Sequence, residues 1–315
     1  MKTRAIPQEA NNSAANNKER KLKFEVDKSL FPFKNNFLEL SNGSEIHYID
    51  EGKGPVVLML HGNPTWSFLY RKMITELKND FRVIAPDYPG FGLSPTPSNY
   101  DFLPSTHSAV IEEFIHKLQL KKIIIVMQDW GGPIGLNNAV KNPDLIRGMV
   151  IGNTWAWPLK RPGQKLFSHI MGGFIGRWMA KNFNGVWHVF MRKGFVKSPS
   201  KKELMMYKAP FKKGRNHKQT AIFPKELYHS KAFLSQIESS LYTLKSKPVL
   251  FTWGDSDFAF QEPELRQFQS IFPNHEVKTL KASHFWQDEK GELAAEYLKK
   301  WALKNGWINT EHIKQ

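Results

Sequence analysis

The 315-residue chain contains no cysteine. Disulfides are therefore excluded, and so is any thiolate acting as nucleophile or metal ligand. Uncharged apolar runs long enough to span a bilayer are also missing. Negative charge is scarce in one place, with no Asp or Glu between Asp144 and Glu203. Residues 158–234 hold 17 Lys and Arg against two acids, Glu203 and Glu226, a net +15 beside the formal +16 of the whole chain. Such a surface aids solubility, and it would also attract an anionic membrane surface or an acidic polymer. Nucleic-acid motifs, internal repeats and metal-spaced His clusters are absent, so no nucleic-acid partner, metal or cofactor is expected. The first 28 residues, rich in Asn, Ala, Lys and Glu, read as a disordered tail. They carry no apolar segment of the kind a secretory signal requires, which points to a cytoplasmic protein with at most peripheral membrane contact.

What is present is a rhythm. Short runs rich in Val, Ile and Leu recur at 45–49, 56–60, 82–86, 122–128, 149–152, 248–253 and 276–280. Most are continuous rather than alternating, as expected for parallel strands covered on both faces. Between them lie helical segments. In 105–118, Val110, Ile111, Phe114, Ile115 and Leu118 keep helical spacing, with Ser105 as N-cap. Alternating strands and helices predict a doubly wound, mainly parallel sheet. The rhythm breaks over 156–234, too long for a loop. There Phe167, Ile170, Met171, Phe174, Ile175, Trp178 and Met179 share one helical face, while Gly172, Gly173 and Gly176 permit close packing. This stretch is expected to be a helical lid inserted after the sixth core strand, dividing the core into 29–155 and 235–315. Ligands bind at the carboxyl edge of such sheets, beneath a lid of this kind.

The chemistry starts at Met127-Gln128-Asp129-Trp130-Gly131-Gly132, which follows the run ending at Val126. A buried strand, a sharp turn and a small-residue helix start form a nucleophile elbow, normally G-x-S-x-G. Here Asp129 stands at the reactive position. A carboxylate suits displacement at an alkyl carbon, leaving an ester between enzyme and substrate. An earlier strand runs into His61-Gly62-Asn63-Pro64-Thr65-Trp66, a turn that in this layout supplies one oxyanion-hole amide. The paired amides are those of Asn63 and Trp130. The general base should be a His beyond the last strand, which selects His284. Its orienting acid follows strand six or strand seven. Strand six ends in Ile151-Gly152-Asn153-Thr154-Trp155 without a carboxylate, whereas strand seven is followed by Asp255 and Asp257. Asp257 is the expected acid and Asp255 the runner-up.

With His61-Gly62-Asn63-Pro64-Thr65-Trp66-Ser67-Phe68, Ala85-Pro86-Asp87-Tyr88-Pro89-Gly90-Phe91-Gly92 and Gln128-Asp129-Trp130-Gly131-Gly132, the chain resembles a haloalkane dehalogenase of the α/β-hydrolase superfamily. The similarity covers about residues 35–155 and 235–305 and is poor in the lid. It implies an α/β-hydrolase fold and cofactor-free hydrolysis of haloalkanes to alcohol, halide and a proton. It also implies that the Trp130 indole and the Asn63 carboxamide bind the leaving halide. An Asn donor together with an acid after strand seven resembles the third subfamily, whose members tend to self-associate, so a homo-oligomer is expected. Two alternatives remain at this point. Epoxide hydrolases share the triad but use lid tyrosines, for which Tyr207 and Tyr228 are candidates. The third reading is a non-catalytic, membrane-associated binding protein.

Overall fold

The computed structural model describes residues 21–211 and 218–309. Its strands are β1 (Asn36–Glu39), β2 (Glu45–Glu51), β3 (Val56–Leu60), β4 (Arg82–Pro86), β5 (Ile123–Gln128), β6 (Ile146–Gly152), β7 (Val249–Gly254) and β8 (His275–Leu280). Core helices α1 (Arg71–Leu77), α2 (Pro104–Lys117) and α3 (Gly131–Lys141) precede the insertion. The inserted segment then forms α4 (Pro162–Gly172), α5 (Phe174–Phe183), α6 (Gly185–Lys193), α7 (Lys201–Lys208) and α8 (Lys218–His229). The chain closes with α9 (Lys231–Ser240), α10 (Glu262–Ile271), α11 (Trp286–Glu289) and α12 (Gly291–Lys304).

The sheet runs β1-β2-β4-β3-β5-β6-β7-β8. β1 and β2 pair antiparallel, as do β2 and β4, and every other pair is parallel. All six residues of β5 and of β7 are buried, the signature of strands sandwiched between helical layers. From β3 the chain steps to one side, into β4; from β5 it steps to the other, into β6. Strand order therefore reverses between β3 and β5, and the carboxyl ends of those two strands bound the crevice where doubly wound sheets hold ligands.

Four details differ from the sequence reading. β1 was not expected. Its residues are half-exposed to exposed, so burial imposes no apolar run on it. Counting β1 makes the strand at 146–152 the sixth, and the helical insertion follows it. Residues 21–28 are not tail: Phe24 and Val26 are buried, and Phe24 meets the Trp66 ring edge-on at 5.5 Å. Two apolar side chains at i and i+2 among charges were masked by the composition around them; residues 1–20 lie outside the described part. Ser105 does not cap α2. Pro104 occupies the first turn after Leu103, where its fixed φ and missing N–H suit a helix start. Finally, the lid's apolar face is broken at Gly173 into α4 and α5, and Ile170, Phe174, Trp178 and Met179 point outward rather than into the core.

Candidate active site

β5 delivers Asp129 on a turn that requires a left-handed backbone, with φ of +48°. A non-glycine residue there is strained by roughly 1 kcal/mol, and the surroundings hold it. The Asp129 amide donates to the Asn153 carbonyl at 3.1 Å, and its carbonyl accepts from the Gly132 amide at 2.9 Å and the Thr154 hydroxyl at 2.6 Å. Close approach explains two glycines. A Cβ on Gly62 would fall on the Asp129 side chain, and one on Gly132 would collide with the Thr154 hydroxyl.

The turn after β3 aims the Asn63 amide at Asp129 Oδ1, at 2.7 Å. The Trp130 backbone N–H also bonds this carboxylate. Both expected oxyanion-hole amides thus hold the Asp129 carboxylate. Burial raises the Asp129 pKa above its ordinary 3.8, opposed by His284 and by these two amides. His284 is wholly buried between the rings of Phe190, Phe258, Phe260 and Phe285. Its Nδ1 donates to Asp257 Oδ2 at 3.0 Å, and its Nε2 lies 3.7 Å from Asp129 Oδ2. Burial disfavours a charged imidazole, yet Asp257 and then Asp129 outweigh it and hold the pKa above 6.5.

Asp257 is 3% exposed, and its other oxygen accepts the Ala259 amide at 2.8 Å. Asp255 instead pairs with Lys281 at 3.0 Å on the surface, away from His284. At the end of β6, Asn153 both donates to the Gly254 and Phe260 carbonyls and accepts from the Gly254 amide. A carboxylate could not make that pattern. The pKa of His61, whose carbonyl lies beside the elbow's Gly131, is driven down to about 4 by burial, and its Nε2 accepts the Tyr88 amide at 3.3 Å.

A cavity of about 400 Å³ opens over the elbow, lined by Asn63, Asp129 and Trp130 and walled by Leu159, Phe190, Pro224, Leu227, Phe258 and Phe260. Arg161, Gln164 and Gln261 add polar groups to its lining, and both Arg161 and Gln164 bond to the buried Glu264. The Asn63 carboxamide is poorly satisfied: Nδ2 has a long 3.4 Å bond to the Thr220 carbonyl, and Oδ1 is buried without a partner. Trp130 is fixed edge-on to Trp155 at 4.7 Å and faces Phe223 at 5.0 Å.

The α/β-hydrolase-fold family model matches residues 55–291. Haloalkane dehalogenase 2 of Mycobacterium tuberculosis is 37% identical over 275 residues, covering 86% of this chain and 96% of that protein. The chain belongs to the haloalkane dehalogenase family. An ancestral haloalkane dehalogenase of known structure superposes with a TM-score of 0.77 at 25% identity, covering 86% of this chain and 98% of the other. A second enzyme type lies nearby: the cis-3-alkyl-4-alkyloxetan-2-one decarboxylase of Shewanella oneidensis is 33% identical, over 79% of this chain and 81% of that protein.

Within this dehalogenase frame, the candidate lid tyrosines are accounted for. The Tyr207 hydroxyl is buried and donates to Asp288 Oδ2 at 2.5 Å, in a cluster with Arg71; Tyr228 is 47% exposed; neither lines the cavity. One residue was missed. Gln128, fully buried, donates its amide to His284 Nε2 at 2.9 Å and to the His284 carbonyl at 3.1 Å. The carbonyl fixes the amide orientation, because the amide oxygen would repel it. Nothing in the sequence marks Gln128 beyond its place one residue before Asp129.

Proposed function

We propose that this enzyme hydrolyses haloalkanes through an alkyl ester on Asp129, beneath a lid formed by α4–α8. Asp129 Oδ2 is the nucleophile, since Oδ1 is tied to the Asn63 amide and Oδ2 faces His284. In-line displacement forms the Oδ2–carbon bond and expels halide. The Trp130 indole N–H and the Asn63 Nδ2–H stabilise the leaving anion and cannot protonate it. His284 then takes a proton from water, which attacks the Asp129 carboxyl carbon. Charge developing on Oδ1 meets the Asn63 amide that already holds it, beside the Trp130 amide on the same carboxylate. Collapse expels the alkoxide, which takes the proton back from His284 to leave as alcohol, and the Asp129 carboxylic acid loses its proton to solvent, restoring the carboxylate. The observation that carries this reading is the convergence of Asp129, Asn63 and Trp130 on one apolar cavity, with His284 and Asp257 behind. The Asp-His-Asp set with an Asn-Trp pair supports assignment to the third subfamily. The buried, bonded Tyr207 and the outlying Tyr228 leave the epoxide route without its acid.

The Shewanella relative motivates a second reading. A carboxylate can open a four-membered lactone at its alkyl carbon, and the freed carboxylate would occupy the same anion site. Loss of carbon dioxide with departure of Asp129 would then give an alkene, with no water and no base. His284→Gln separates the two. With a bromoalkane the variant should release one bromide per enzyme and keep one alkyl group on the Asp129 peptide, seen by intact mass. In ¹⁸O-water one wild-type turnover should place the label in Asp129. No adduct, or label in the alcohol, rejects the covalent route; undiminished turnover of the lactone by the variant favours the decarboxylase.

A further inference from the structure

Helices α4 and α5 expose apolar side chains that a solvated surface would not carry. Toward α8 they present small residues. Ser168, Gly172 and Gly176 are buried, the Ser168 hydroxyl donates to the Pro224 carbonyl at 2.7 Å, and Gly172 lies against the Lys225 backbone. Outward they present Leu166 (62% exposed), Ile170 (59%), Phe174 (80%), Trp178 (52%) and Phe183 (60%). Leu166 and Ile170 lie one turn apart on α4, and Phe174 and Trp178 lie one turn apart on α5, with the Trp178 and Phe183 rings in contact at 5.1 Å. An ordinary surface helix buries its apolar stripe and shows its polar face. Five large apolar side chains exposed on two adjoining helices mark a contact surface.

Charge identifies the occupant. The described residues of 158–234 expose no carboxylate, because Glu226 is buried and Glu203 is half-buried against Arg71, while Lys165, Arg192 and Lys193 stand in solvent. With a net +15 in this segment, a second copy on the same face would set like charge against like. We infer that the α4–α5 face docks on an anionic lipid bilayer, with its exposed apolar side chains entering the headgroup boundary and the exposed cations of the lid, Lys165 of α4 among them, meeting the lipid charge. No helix among the described residues is long and apolar enough to cross a membrane, and the contact is with the surface. Arg161–Gln164 at the start of α4 line the cavity, and Leu166 follows within the same turn. A docked lid therefore sets the cavity mouth beside the hydrocarbon in which haloalkanes dissolve. This delivery step rests on the dehalogenase reading; the docking does not.

The test is flotation of the full chain with phosphatidylglycerol/phosphatidylcholine vesicles and with phosphatidylcholine alone, beside Phe174→Asp/Trp178→Asp. Both changed residues are exposed, and activity on a water-soluble haloalkane should be unaltered. Wild type should float with the anionic vesicles only, less so at high salt, and the variant's partition should fall at least about tenfold. Haloalkane preloaded in anionic vesicles should be turned over faster by wild type than by the variant. Wild type that fails to float, or a variant that floats equally, overturns the proposal. So does an oligomer of the wild type that the variant dissolves without any vesicle binding, which would make these side chains a self-association face.

Discussion

Replacing Asp257 by Asn tests the base assembly most directly. The hydrolytic step creates an imidazolium whose Nδ1 lies 3.0 Å from Asp257 Oδ2. At an effective dielectric of about 20, a charge pair at that distance is worth about 5 kcal/mol. An Asn dipole recovers part of this, so the expected loss is about 10³–10⁴ in the rate of alcohol release. A second effect has the same sign. A carboxamide nitrogen facing Nδ1 would drive the ring proton to Nε2, where it would meet the Gln128 amide, donor against donor. The first displacement needs no base and should survive. Rapid quenching with a bromoalkane should therefore show a bromide burst near one per enzyme, followed by very slow alcohol formation and accumulating ester. If the burst falls by the same factor as the alcohol, or if alcohol release stays within about tenfold of wild type, Asp257 is not the orienting acid. Asp255→Asn, whose side chain pairs with Lys281, should leave both phases intact.

Other consequences concern the anion site and the second neighbour of His284. Trp130→Phe and Asn63→Ala should each slow the bromide burst by about 10²–10³, the usual loss for one preorganised donor, and weaken halide inhibition; wild-type bursts in both would remove them from the halide site. Gln128→Leu deletes a donor that favours the neutral imidazole. Its net hydrogen bond of about 0.5–1.5 kcal/mol predicts that the acid limb of alcohol release moves up by about half to one pH unit, and an unmoved limb would reject this role.

The sheet was legible because continuous apolar strands are dictated by burial on both faces, and β3–β7 obey that rule. β1 was not, since a half-exposed edge strand is held by hydrogen bonds that every residue type can make. The elbow could be read from Asp129, Gly131 and Gly132 because crowding and left-handed backbone geometry leave a distinct residue pattern. The acid emerged by elimination, and Asp257 rather than Asp255 reaches His284 because only Asp257 turns inward. Gln128 stayed hidden because a side chain acting across the sheet has no local signature. The direction of the lid stripe was also hidden, because periodicity reports that residues share a face without saying which face is buried.

The arrangement also orders the two half-reactions in time. Before alkylation His284 faces two carboxylates, Asp257 and Asp129; its other neighbours among the described residues include the Gln128 amide and four phenyl rings, and none of the ion pairs there brings a cation to it. Both carboxylates raise its pKa against the effect of burial, and the protonated form they favour is unfit to act as a base. The same proton steadies Asp129 as the anion that attacks. Ester formation erases the Asp129 charge 3.7 Å from Nε2. At an effective dielectric of about 20 that removes about 4 kcal/mol of attraction, an upper bound given the amides that share the charge. The His284 pKa should then fall in the alkyl-enzyme, releasing the base when water must be activated. The acid limb of single-turnover alcohol release should accordingly lie at lower pH than the titration of His284 in the free enzyme, followed by the NMR shifts of its ring. If both report the same value, Asp129 does not set the charge of His284, and the sequence of events must be controlled elsewhere.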